Sequence, residues 1–163
     1  MSRRRSSEPG EGNASHRPRV VTLALAAGAL LSASGCATPE GDPSLYHDEA
    51  ISTLKAAHSA VETVEITLDA RLQDKTFGRA ADDAVSGAED SLSSTAGTFE
   101  ALQPPRGADA VRQKADDLLS SAEDAVAAAR IAIRRDDPAT MRQALTAVVA
   151  ASKALDEAPD KLP

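Results

Sequence analysis

The sequence predicts an all-α protein, an up-down-up-down antiparallel four-helix bundle, on three observations. Four stretches repeat apolar residues at spacings of three and four, the period that gathers side chains onto one helix face. Short connections rich in Asp, Pro and Gly separate them, and connections of that length return the chain antiparallel to the helix before. No stretch shows the strict apolar–polar alternation of a half-buried strand.

The first helix is expected over 43–73. Asp42 is an acceptable cap and Pro43 suits the first helical position. Asp48 and Glu49 come early, where the helix dipole favours anions. Its seam is Ala50, Leu54, Ala57, Val61, Val64 and Leu68. The second helix is expected over 76–103, with Phe77, Ala81, Ala84, Ala88, Leu92, Thr95, Phe99 and Leu102 as its seam. Pro104 and Pro105 stop it, because proline lacks an N–H and restricts the residue before it. The third, over 108–135, has Val111, Ala115, Leu118, Ala122, Ala125, Ala129 and Ala132, and carries Arg130, Arg134 and Arg135 towards the negative end of its dipole. Asp137-Pro138 opens the fourth with the clearest cap signal in the chain. Its seam is Met141, Leu145, Val148, Ala151 and Leu155, and it ends by Pro159. The bundle is thus placed at 44–158, with 159–163 as a C-terminal tail. An offset of 64 pairs Leu54 with Leu118, Phe77 with Met141 and Val85 with Val149, a pattern that duplication of a helical hairpin would leave.

Residues 1–35 belong to a different class of sequence. Arg3, Arg4, Arg5, Arg17 and Arg19 precede an apolar run at 20–31, which leads to Ala33-Ser34-Gly35-Cys36. A basic start, a short apolar core and small residues before a cut make a secretory signal. A run of twelve residues is too short to cross a bilayer, which takes about 20 as a helix. Ser2-Arg3-Arg4-Arg5-Ser6-Ser7 adds a faint twin-arginine pattern. With the chain's sole cysteine beside the cut, the segment resembles a bacterial lipoprotein signal with its lipobox. The Ala, Arg and Asp bias is similar to that of small helical-bundle lipoproteins of high-GC Gram-positive bacteria. The resemblance implies that 1–35 is removed, that Cys36 carries a covalent diacylglyceryl lipid, and that 36–43 tethers the bundle to the outer face of the cell membrane. No cysteine is left for a disulfide, so the core alone must hold the fold.

Composition narrows the function classes. From residue 36 onward the chain has 13 Lys and Arg against 23 Asp and Glu, a net charge of −10. Such a domain repels phosphate backbones, so no nucleic-acid partner is expected. Tyr46, Phe77 and Phe99 are the only aromatics, and there is no tryptophan. Sugar-stacking, flavin and haem sites draw on aromatic walls, and this chain has none to offer.

One constellation has the chemistry of a ligand set. His58, Glu62 and Glu65 fall at i, i+4 and i+7 on one face of the first helix, with His47 and Asp69 extending the strip. Imidazole with carboxylates binds zinc, iron or manganese, and bundle cores hold such metals. The di-iron pattern, however, needs Glu-x-x-His motifs that the chain lacks. The competing expectation is a seam rim where His58 and Glu62 pair. Acids for a metal site would come from Glu89, Glu123 or Asp124. Met141 falls near the level of Val61 by antiparallel counting, and a His58–Met141 pair is similar to the axial ligands of b-type cytochrome bundles. Core packing is its expected role. The acidic pairs Asp82-Asp83, Glu89-Asp90, Asp116-Asp117 and Glu123-Asp124 are adjacent along the helix, so they diverge and suit a solvated face. No Gly-x-Ser-x-Gly and no phosphate-cradling glycine loop is present, so no enzyme is expected. The expectation is a membrane-anchored, non-catalytic binding or scaffold module of the cell envelope, with a metal- or ligand-binding bundle at His58, Glu62 and Glu65 as the alternative. Its partners are the membrane lipid through Cys36 and either another envelope protein or a second copy. A stripe at Ile51, Leu72 and Ile131-Ile133 is the expected surface for self-association.

Overall fold

The structure, a computed structural model, describes residues 41–163. The signal segment, Cys36 and most of the 36–43 tether lie outside the described residues. The described chain is a four-helix bundle: α1 (Pro43–Leu72), α2 (Gly78–Glu100), α3 (Asp109–Arg135) and α4 (Pro138–Asp156). It contains no strand among the described residues. None of its helices is long and apolar enough to cross a membrane.

Two helices begin as the cap residues dictate. Asp42 accepts the Ser44 N–H at 2.9 Å, and Pro43 follows it as the first helical residue. Asp137 accepts the Ala139 N–H at 3.0 Å and the Thr140 N–H at 3.3 Å, with Pro138 after it. Both satisfy N–H groups that the helix itself leaves without acceptors. α1 stops in a Schellman turn. The Lys75 N–H reaches the Ala70 carbonyl at 2.8 Å and the Asp74 N–H reaches Arg71 at 3.2 Å. Asp74 takes the left-handed conformation that glycine usually supplies there, at φ 55°. Asp136, at φ 50°, turns the chain from α3 into α4 in the same region.

Packing follows the alanines. α1 and α3 each touch all three other helices, whereas α2 and α4 touch only α1 and α3. The cross-section is therefore flattened, with α1 and α3 close along the short diagonal. Every α1 seam residue from Ala50 to Leu68 is fully buried, and every expected α3 seam residue is buried as well. Because α3 meets three neighbours, it buries a second row, Leu119, Val126 and Ile133. Small side chains let helix axes approach closely while burying little apolar area each.

Several sequence expectations need correction. α2 begins at Gly78, with Phe77 as its N-cap in extended backbone. That conformation swings the Phe77 ring off the helix face, and it is 85% exposed. Further along, Ala84 and Thr95 are only half-buried, and Val85 and Ala96 take the inner positions. The seam is Ala81, Val85, Ala88, Leu92, Ala96 and Phe99, which keeps the helical period of the expected set and differs from it by a rotation of the buried face. Leu145 sits at the core edge, with Ala144 buried beside it. Ile133 is buried and Leu72 packs on the core, which dismantles the proposed association stripe and leaves Ile131 exposed. The 159–163 segment is not a free tail, since Leu162 packs against the core. Duplication is echoed in packing only by Leu54 and Leu118, both buried, because Phe77 is exposed where Met141 is buried, and Val149 is exposed where Val85 is buried.

Two stability outcomes follow. Ala57→Leu, which forces a larger side chain into a fully buried α1 position, is expected to destabilise the bundle by about 1–3 kcal/mol. Leu54→Ala is expected to cost about 2–5 kcal/mol, both read by chemical denaturation. Acid sensitivity has a defined sign. The Thr140 hydroxyl and then the Ala139 N–H hold the Asp137 carboxyl below its ordinary value, Ser44 does so for Asp42, and Lys161 does so for Glu157. A carboxyl lowered in the folded state contributes stability in full above its unfolded pKa of about 4, and loses it as pH falls through the folded value. Asp137→Asn keeps an acceptor at the cap without the charge. Its melting temperature should fall less than the wild type's when the pH drops below about 4.

Candidate functional site

The His58 strip lies along α1 beside the buried seam. The His58 side chain is 22% exposed. Its Nδ1 is 3.8 Å from the Glu62 carboxylate one turn on, and its Nε2 is 3.2 Å from the Ser152 hydroxyl of α4. With the proton on Nδ1 facing Glu62, Nε2 accepts from Ser152. Ser152 is itself buried, so this contact satisfies a polar atom at the α1–α4 seam. Glu62 is exposed and Glu65 half-buried. The strip's outer members lie elsewhere: His47 is half-buried near the start of α1, and Asp69 accepts from the Gln73 side-chain amide.

The facing helices do not bring the expected acids to His58. Glu89 pairs with Arg130 at 2.9 Å, across α2 and α3. Asp124 lines a groove between α3 and α4. Among the described residues, no group of three His, Cys, Asp or Glu side chains is placed to hold a metal ion. The residue opposite His58 on α4 is Ser152, eleven residues after Met141 and thus about 16 Å further along the helix. Met141 is buried in the core at another level, which corrects the expected approach of Met141 to His58.

Sequence reasoning missed two arginine centres. At the start of α3, Arg112 closes the end of α2. It donates to the carbonyls of Phe99 at 3.2 Å, Leu102 at 3.0 Å and Glu100 at 3.0 Å, and to Asp116 at 2.7 Å. The Phe99 and Glu100 carbonyls belong to the last turn of α2 and Leu102 lies just beyond it, where a helix end runs short of backbone donors for its carbonyls. The guanidinium also lies 5.3 Å from the Phe99 ring centroid, and Phe99 meets Tyr46 of α1 at 5.5 Å. The Tyr46 hydroxyl, and then Asp116, hold the guanidinium further above its ordinary pKa. The sequence signal was an arginine opposed to a double-proline loop, and nothing in the heptad pattern singles it out.

At the other end of α2, Arg71 donates to Asp74 at 3.2 Å and to Asp136. It thereby joins the α1–α2 turn to the α3–α4 turn. Arg134 donates to Asp82 at 2.9 Å. Arg71, Arg79, Arg134, Asp82 and Asp136 line a cleft of about 440 Å³ there. Most of these charges neutralise one another. Arg79 is the guanidinium that the ion pairs leave out.

Three further concavities lie elsewhere. One of about 510 Å³ lies between α3 and α4, lined by Leu118, Ser121, Asp124 and alanines of both helices. One of about 300 Å³ lies beside Leu45, Tyr46, Leu102 and Pro105, and one of about 220 Å³ is walled by hydroxyl side chains of α1 and α2. Two of its hydroxyls return to their own helix: Thr95 donates to the Ser91 carbonyl and Thr98 to that of Ser94. No family model matches the chain, and neither a curated protein nor a solved structure matches it.

Arg112 offers a direct check on the α2–α3 closure. Arg112→Ala is expected to lose about 1.5–3 kcal/mol in denaturant unfolding, the worth of hydrogen bonds to a charged group. Arg112→Lys should recover only part of this, because an ammonium has no planar fork to span three carbonyls.

Proposed function

We propose that this chain is the precursor of a lipoprotein, anchored at the extracytoplasmic face of the cell membrane through a diacylglyceryl lipid on Cys36. Its bundle acts as a non-catalytic binding or scaffold module of the cell envelope. The observation that carries the proposal is Ala33-Ser34-Gly35-Cys36 directly behind a basic segment and the apolar run at 20–31. A lipid anchor on a domain of net charge −10 has a physical rationale. Such a domain stands off an anionic bilayer, so attachment falls to the lipid chains. A binding role is supported by the self-contained bundle, whose polar chemistry at His58, Arg71 and Arg112 is spent on internal partners.

The helices are read as an up-down-up-down bundle. Contacts between α2 and α3 support it: Asp82 meets Arg134 and Glu89 meets Arg130, so one number rises as the other falls. Tyr46 with Phe99 does the same service for α1 and α2. His58 with Ser152 does so for α1 and α4, taken with Arg71 and Asp136. The antiparallel course puts the first residues of α1 and the α2–α3 connection at the tethered end.

Intact mass spectrometry of the protein extracted from its native membrane, with metal analysis of the same sample, tests the proposal. The expected species begins at Cys36, carries the mass of a diacylglyceryl group and brings no stoichiometric metal. A cleaved chain without lipid overturns the anchor. A stoichiometric metal lost on His58→Ala overturns the scaffold reading in favour of a metal-binding bundle at His58, Glu62 and Glu65.

A further inference from the structure

Phe77 has no role inside the bundle. It is 85% exposed, while Tyr46 and Phe99 are buried in the core. It occupies the N-cap of α2 without a capping hydrogen bond, a position where Ser, Thr, Asp or Asn would satisfy a free N–H. A residue that breaks the local rule with no gain to its own fold points to something outside it. Its neighbours Lys75 and Arg79 are exposed cations.

A second feature of the same molecule has the complementary character. The α3–α4 groove, about 510 Å³, is walled by Leu118, Ala125, Ala128, Ala147, Ala151 and Ala154. Asp124 is the sole charged residue in its lining. Asp124 is exposed and, like Arg79, takes no part in the ion pairs that link the helices. The groove's volume exceeds that of an aromatic ring, and its walls are mostly alanine.

We propose that Phe77 of one copy seats in the α3–α4 groove of a second copy, with Arg79 against Asp124. The apolar ring answers the alanine wall, and the flanking cation answers the acid on the rim. Charge complementarity selects a copy of this chain as the occupant. Lys75 and Arg79 flank the ring as exposed cations on a strongly acidic domain, with Asp74 engaged by Arg71, so only a locally matched contact overcomes the general repulsion between copies. Within one molecule α2 packs on α1 and α3 and not on α4, and the ring's exposure shows that its own groove is not where it goes. Knob and groove are different surfaces, so the contact is heterologous. It repeats from copy to copy unless its rotation closes a ring. One ring and one ion pair make a small interface, the size of a transient contact. The proposal does not rest on lipidation of Cys36.

The test places a photoreactive phenylalanine analogue at position 77 of the full chain and irradiates cells that express it. The expected product has twice the mass of the chain, with the crosslinked peptide falling within 118–154. Arg79→Glu, which sets two acids face to face, should cut that product about fivefold, and adding Asp124→Lys should restore it to within about twofold. Both substitutions are at exposed positions, and circular dichroism confirms that each variant keeps its helices. A crosslink to a different protein, no dimeric product, or a yield that ignores the charge swap overturns the proposal.

Discussion

The close approach of α1 to α3 is the constraint on which the rest of the bundle depends. Ala50, Ala57 and Ala60 of α1 and Ala115, Ala122, Ala125 and Ala129 of α3 are all buried. With side chains this small, two helices meet along the short diagonal and leave α2 and α4 to fill the flanks. Alanine makes up about half of the buried apolar residues. Each contributes little transfer free energy, so the fold relies on many shallow contacts and tight van der Waals fit rather than on a few large anchors. The larger residues, Leu54, Leu68, Leu92, Phe99 and Leu155, come from α1, α2 and α4 and are fully or almost fully buried.

Much of this was legible in the sequence because it depends on spacing alone. The α1 seam, the four helices and the caps at Asp42 and Asp137 follow from local pattern, and the structure places them so. Local pattern loses its power where tertiary context decides. It put Phe77 on the seam because four residues separate it from Ala81, but one extended residue before a helix redirects the side chain. It underestimated α3, whose second buried row exists only because three neighbours surround it. It gave no sign of Arg112, whose carbonyl partners stand 10 to 13 residues away in sequence. In the candidate site, the pairing of His58 with Glu62 was legible from i, i+4 geometry, while Ser152 was not, since it comes from the far end of the chain.

The polar side chains divide into those that close the structure and those that face outward. Arg71, Arg112 and His58 bind groups that helix geometry or burial would otherwise leave without partners. The serine and threonine hydroxyls at positions 59, 63, 67, 95 and 98 donate to carbonyls one turn back, which leaves these faces with less free hydrogen-bonding capacity than their composition suggests. What remains for recognition is shape and charge: the Phe77 tip, the α3–α4 groove and the unpaired ions beside them.

The two arginine closures carry a mechanical consequence. Helical bundles that take a guest between their helices do so by splaying at an end, as tongs open from the side away from the hinge. Arg71 ties the α1–α2 turn to the α3–α4 turn, and Arg112 fastens the last turn of α2 to the first turns of α3. The C-terminal end of α2 and the two turns at the opposite end of the bundle are latched, by contacts that must break before the helices part. Such a bundle behaves as a stiff post rather than a clasp, and it meets its surroundings on the outer surface with its shape already set.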